Sequence, residues 1–160
     1  MKKSDIIVLL DIDNTLFNTE KLKKSNLTVF ELYDEVIDTL DHLSGIATLG
    51  IFSQGEIAFQ NKKLKETNIQ QYFASEHKHI VEYKIEVMKD ILSLYTHKAK
   101  VYFIDDWLEG LRVAKKSDPS VFTIWIKRGQ YAQTQKEHSD FTPDAVVKNL
   151  HEVIPLIGHL

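Results

Sequence analysis

Apolar residues along this chain recur in two rhythms. The short run IIVLL (6–10) is continuously apolar, and the mainly apolar stretches IATLGIF (46–52), KVYFI (100–104) and VFTIWI (121–126) also read as strands. A continuous apolar run such as IIVLL predicts a strand buried on both faces, as in a parallel sheet. Between them, apolar positions return every three or four residues. Val29, Phe30, Tyr33, Val36, Ile37, Leu40 and Leu43 predict an amphipathic helix over 27–43, with Gly45 placed to end it. Further helices are expected over 56–67, with Asn68 as a stop, over 84–95, where Ile85, Met88, Ile91, Leu92 and Tyr95 share a side, and over 107–116. After Pro143 comes a short strand, DAVV, and then a helix through NLHEVIPLI that Pro155 should disturb or end.

Strands alternating with helices imply an α/β fold with right-handed crossovers. The expectation is a single Rossmann-like domain over 1–160, with a mainly parallel central sheet and helices on both faces. Ligands of such sheets bind outside the carboxyl ends of the strands. Three strands here run directly into polar groups at those ends: Asp11 and Asp13 after the first, Ser53 after the second, and Asp105 and Asp106 after the third.

Composition narrows the chemistry. The chain has 160 residues, 43% of them hydrophobic and 27% charged, which suits one soluble domain. A net charge of -3 does not indicate a nucleic-acid-binding surface. With no cysteine, disulfides, thiolate metal sites and cysteine nucleophiles are excluded. The first apolar run is too short for a signal-peptide core, and no window approaches the roughly 18 apolar residues of a membrane span. A cytoplasmic location without membrane attachment is expected.

Carboxylates gathered at one sheet edge repel unless a cation lies among them. A hard all-oxygen site of this kind suits Mg2+. It also suits phosphoryl chemistry in which one carboxylate attacks phosphorus while a second handles the proton of the leaving oxygen.

The stretch DIDNTL after the first strand resembles the first motif, DxDxT/V, of the haloacid dehalogenase-like superfamily. Ser53 in IFSQG is similar to the second motif, Lys84 in EYKIEVM falls where the third places its lysine, and Asp105 and Asp106 in VYFIDDW resemble the fourth in its DD form. The resemblance runs through nearly the whole chain to DAVVKNLHEVIPLI. It implies a magnesium-dependent phosphatase acting on phosphate monoesters through an aspartyl phosphate. Asp11 would be nucleophile and metal ligand. Asp13 would be general acid/base, with its backbone carbonyl on the metal. Ser53 and the amides around Gln54 and Gly55 would hold phosphate oxygens, Lys84 would neutralise nucleophile and phosphate, and Asp105 and Asp106 would complete the metal site.

The chain departs from the family pattern in places. Ile104 precedes Asp105 where glycine is common, Gly110 stands where many members carry a further aspartate, and Ile85 follows Lys84 where proline is frequent. Lys62, Lys63 and Lys78 rival Lys84 for the lysine role. The spacing between motifs leaves no room for a large cap, so the site is expected to be open, taking a small phosphorylated molecule or an exposed phosphate on a macromolecule. Two rival readings remain: a catalytically quiet binding or regulatory domain of the same fold, and another phosphoryl-transfer activity of that superfamily. A calcium loop is disfavoured, because Leu16 and Leu22 occupy the positions where an EF-hand needs glycine and glutamate. Thr15 is expected to brace its loop by its hydroxyl, Trp107 to line the pocket mouth or pack beneath its helix, His77 and His79 to be solvated, and Arg128 and Gly129, which follow a strand, to form an ordinary turn, with substrate contact as the alternative.

Overall fold

The computed structural model describes residues 2–158. Its centre is a six-stranded sheet, all parallel, built from β1 (Ile6–Leu10), β2 (Thr48–Gln54), β3 (Lys78–Val81), β4 (Lys100–Asp105), β5 (Phe122–Ile126) and β6 (Ala145–Val147). The spatial order is β3-β2-β1-β4-β5-β6. The chain leaves β1 toward β2 on one side and returns to β4 on the other, so a crevice opens beyond the carboxyl ends of β1 and β4.

Successive strand residues serve opposite cores. Ile6, Val8 and Leu10 join Tyr102 and Ile104 in one apolar cluster, while Ile7 and Leu9 join Val101 and Phe103 in the other. The first cluster lies under α2 (Val36–Ile46) and α3 (Ile57–Glu66), the second under α4 (Lys84–Ser93) and α5 (Leu108–Ser117). A strand with no polar face reads as an unbroken apolar run, as IIVLL does. Gly50 interrupts β2 for a steric reason: a Cβ there would lie 2.9 Å from the His77 carbonyl oxygen.

The predicted α/β architecture is the observed one, with the remaining strand ends and helices displaced by a residue or two. Three differences stand out. The helix expected over 27–43 begins at Val36. Residues Asn26 and Leu27 are left-handed, with φ of 53° and 63°, and terminate a separate short helix, α1 (Thr19–Lys24). Phe30, Leu32 and Tyr33 pack inward from an irregular segment, while Val29 is exposed: Phe30 meets Phe17 and Phe59 edge-on at 5.9 and 6.3 Å. Their helical spacing is coincidental. β3 was not predicted, because its KHIV sequence is an edge strand only half-buried along its length. The closing segment Leu150–Leu156 is a 3-10 helix containing Pro155.

The places where a cap could be inserted are short. The stretch between β1 and α2 holds only the six-residue α1, so no large cap covers the crevice. Among the described residues no helix is long and apolar enough to cross a membrane.

Asp144 fastens β5 to the approach of β6. Its carboxylate accepts the Thr123 N–H at 2.7 Å, the Thr123 hydroxyl at 2.8 Å and Lys115 Nζ at 2.9 Å. Burial alone would raise this carboxyl, but the Thr123 N–H, Lys115 and the Thr123 hydroxyl outweigh it and hold it below its ordinary value. A folded-state pKa below the unfolded one gives stability that is present near neutrality and is lost as the pH falls through and below about 4. Asp144→Ala should cost about 1–2 kcal/mol at neutral pH, because Thr123 loses its buried acceptor. The gap from wild type should shrink on acidification, as urea titrations at pH 7 and pH 3.5 would measure.

Candidate active site

Register assembles the carboxylates. Leu10 pairs with Ile104, and the Asp11 N–H continues the ladder to the Ile104 carbonyl at 3.0 Å. Asp11 and Asp105 therefore emerge side by side from adjacent strands, with Asp106 one residue on. Each of Asp11, Asp105 and Asp106 offers one carboxylate oxygen within 4.8 Å of the others, and all three residues are buried.

Lys84 enters this group from the start of α4. Its ammonium lies 2.9 Å from Asp11 Oδ1 and 2.8 Å from Asp105 Oδ2. Among the rival lysines, Lys62 lies over the Phe30 ring and Lys78 lines a separate hollow. Lys63 pairs with the remaining carboxylate, Asp13, at 2.6 Å. Two lysines against four carboxylates leave two negative charges unmatched.

The electrostatics record that deficit. Burial raises Asp11 above its ordinary value; Lys84 pulls it back, and Asp105 and Asp13 push it up again. Burial, Asp11 and Asp105 raise Asp106 further, while Asn14 Nδ2, at 3.3 Å, opposes only weakly. Lys84 is pushed up: its burial works the other way, but Asp105 and Asp11 outweigh it. The buried oxygen Asn14 Oδ1, on the same loop, has no partner among the described residues. Three converging carboxylates with surplus charge and no soft donor fit a hard divalent cation.

Asp13 stands apart from this group. Its Oδ1 accepts Thr19 Oγ1 at 2.5 Å and Lys63 Nζ, and its Oδ2 accepts Gln60 Nε2 at 2.8 Å. Burial would raise its carboxyl, but Lys63, Thr19 and Gln60 reverse this and hold it below its ordinary value. A carboxyl held below its ordinary value is ionised near neutrality. Gln60 also donates to Ser53 Oγ at 3.0 Å, linking Ser53 to Asp13.

The second-motif residues are placed differently from expectation. Ser53 is wholly buried beneath the site. Gln54 lines the crevice and accepts the Lys84 N–H through Oε1 at 2.8 Å. The Gly55 N–H is bonded to the Val81 carbonyl at 2.9 Å and so is not free for a phosphate oxygen.

The loop that carries Asp13 is braced from outside. Asn14 is left-handed, with φ 56°. The Arg128 guanidinium donates to the carbonyls of Asn14, at 3.2 Å, and of Thr15; it pairs with Glu35 and stacks 3.7 Å from the Tyr33 ring centroid. Glu35 in turn accepts the Leu150 N–H at 3.0 Å. Thr15 was expected to brace the loop by its hydroxyl, yet that buried hydroxyl has no partner among the described residues. Arg128 does this work on backbone carbonyls, a role that neither an ordinary turn nor a substrate contact describes.

Trp107 fills both of its expected roles. It lines the crevice, and its ring lies 3.1 Å from where a Gly110 Cβ would stand. His77 and His79 are half-buried, where solvated surface was expected. They flank the Tyr95 hydroxyl at 3.1 and 2.5 Å, at the start of β3, the edge strand beyond β2.

The crevice above the carboxylates measures about 500 Å³. In sequence, no family model matches this chain and no curated protein does. In structure, it superposes on a haloacid dehalogenase-like hydrolase of Burkholderia xenovorans LB400 with a TM-score of 0.78, at 19% identity over 96% of each chain. The chain has the haloacid dehalogenase-like fold. The same fold is seen in the HAD-hydrolase YfnB of Bacillus subtilis bound to magnesium (TM-score 0.74, 11% identity, 95% of this chain and 98% of that one). It is also seen in the L-2-haloacid dehalogenase of Xanthobacter autotrophicus (TM-score 0.68, 14% identity, all of both chains). Within the haloacid dehalogenase-like fold, this chain places an acidic cluster, two buried lysines and an open crevice at the carboxyl edge of the sheet.

Proposed function

We propose that the protein is a magnesium-dependent hydrolase of phosphate monoesters that works through a phosphorylated Asp11. The observation that carries this reading is the surplus negative charge of Asp11, Asp105 and Asp106, three buried carboxylates with, among the described residues, only Lys84 paired to them. Carbon–halogen cleavage needs neither a cation there nor a second acid at position 13. Phosphoryl transfer uses both. The magnesium-bound relative of the same fold supports the choice of metal.

Asp11, Asp105 and Asp106 would hold the ion, together with the Asp13 backbone carbonyl. When bound, the ion supplies charge neutralisation for the transferring phosphoryl group. Lys84 holds Asp11 ionised and oriented, so that a carboxylate oxygen can attack phosphorus while the bond to the ester oxygen breaks. Lys63 and Asp13 together hold one transferable proton. Asp13 delivers it to the departing oxygen, then takes one from the water that attacks the acyl phosphate. Gln60 and Thr19 fix the direction of that carboxylate, and Ser53 supports Gln60 from below. Asp13 ionised at rest is the form needed in the second half-reaction.

The test is hydrolysis of 4-nitrophenyl phosphate with magnesium and with EDTA, alongside thermal unfolding in both. Activity should need the ion, and magnesium should raise the melting temperature. Turnover unaffected by chelation would overturn the metal role, and hydrolysis of no phosphate ester would favour a binding domain.

A further inference from the structure

Resting on that reading, the upper crevice says what kind of ester is cleaved. Many polar groups that reach the cavity are already committed to one another. Thr19 and Lys63 bond Asp13, and Gln54 Oε1 accepts the Lys84 N–H. The rest of the wall above the carboxylates includes Leu22 and Leu27 from the α1 side, Phe59 from α3, Trp107 ahead of α5, and Tyr131 from α6 (Gly129–Thr134). A polyol or sugar leaving group entering here would trade water for hydrocarbon at most of its hydroxyls.

Two of these residues are costly unless something covers them. Leu27 is 56% exposed and Tyr131 is 51% exposed, on separate elements of the same cavity. Leu27 is also left-handed, with φ 63°, a conformation that disfavours a γ-branched side chain and favours glycine. The fold thus keeps a strained leucine in water at the mouth of the site. Backbone strain retained next to a site points to a use there. Lys23, at the same rim, pairs with no acid among the described residues, which leaves it to draw in an anionic ester.

We infer that the leaving group of the physiological substrate is an aromatic ring, received between Leu27 and Tyr131 while its phosphate meets Asp11. The cavity of about 500 Å³ admits a phosphoryl group and one or two fused rings.

The experiment compares kcat/KM for benzyl phosphate and 2-hydroxyethyl phosphate with magnesium present. Both leaving groups are primary alcohols, so leaving-group acidity does not account for a large difference. Benzyl phosphate should be preferred by about ten- to a hundredfold. Leu27→Gly should pull that ratio toward one while raising the melting temperature, because glycine relieves the left-handed strain. Tyr131→Ala should also lower the ratio. Equal kcat/KM for the two esters in the wild type, or a ratio unmoved in both variants, would overturn the inference and leave the phosphatase reading standing. Failure to hydrolyse either ester, or 4-nitrophenyl phosphate, would remove both.

Discussion

Asp11→Asn should abolish phosphate-ester hydrolysis, with kcat falling at least about a thousandfold, while the metal-free protein becomes harder to unfold. The two halves have one cause. Asp11 is one of three buried carboxylates whose mutual repulsion Lys84 only partly offsets. Replacing its charge by an amide of the same shape relieves that repulsion and leaves Lys84 paired with Asp105. The same change removes the oxygen nucleophile that a covalent route requires. Steady-state kinetics and urea unfolding in EDTA, on the same preparation, measure both. Lost activity with raised stability cannot be ascribed to damage to the fold. Undiminished turnover in this variant would exclude an aspartyl phosphate.

Lys84→Met should produce the largest loss of stability in the molecule, about 3–5 kcal/mol. The lysine is almost completely buried and, among the described residues, is the only cation bonded to Asp11 and Asp105. Methionine fills similar space but leaves two facing carboxylates, and Asp106 beside them, with no positive partner. Breaking one side of a buried ion cluster is costly because the remaining charges are left largely desolvated and unpaired. The midpoint of urea unfolding should fall with little change in slope. Saturating magnesium should restore part of the loss, because the ion binds the folded chain and replaces some of the missing charge. A surface lysine would show neither effect: replacing Lys24, which is exposed, should move the midpoint by no more than about 0.5 kcal/mol.

What could be read from the sequence follows from where each residue sits. The runs IIVLL and KVYFI are buried on both faces, so their composition declares them, and the acids after them are brought together by simple strand pairing. Residues 27–35 misled because Phe30 and Tyr33 reach their partners from irregular chain at a spacing that happens to mimic a helix. Leu27 in a left-handed conformation leaves no mark that glycine would have left. Gln60 and Lys63 had a faint signal: two polar residues three apart, on the helix face that also carries buried Leu64. Nothing local says that Lys63 meets Asp13, fifty positions earlier. Arg128 was singled out for its place after a strand, yet its partners Asn14, Thr15, Glu35 and Tyr33 lie far away in the chain. Contacts of that kind are set by topology, and only the assembled sheet reveals them.

Glu35 joins two parts of the chain that share no other obvious business. One carboxylate oxygen receives both the Leu150 N–H and Arg128, and Arg128 holds the carbonyls behind Asp13. A single proteolytic nick after Lys148 that let residues 149–158 peel away would therefore slacken a loop at the other end of the sequence. Amide deuterium uptake around residues 14–16 would register the cut before the central strands did.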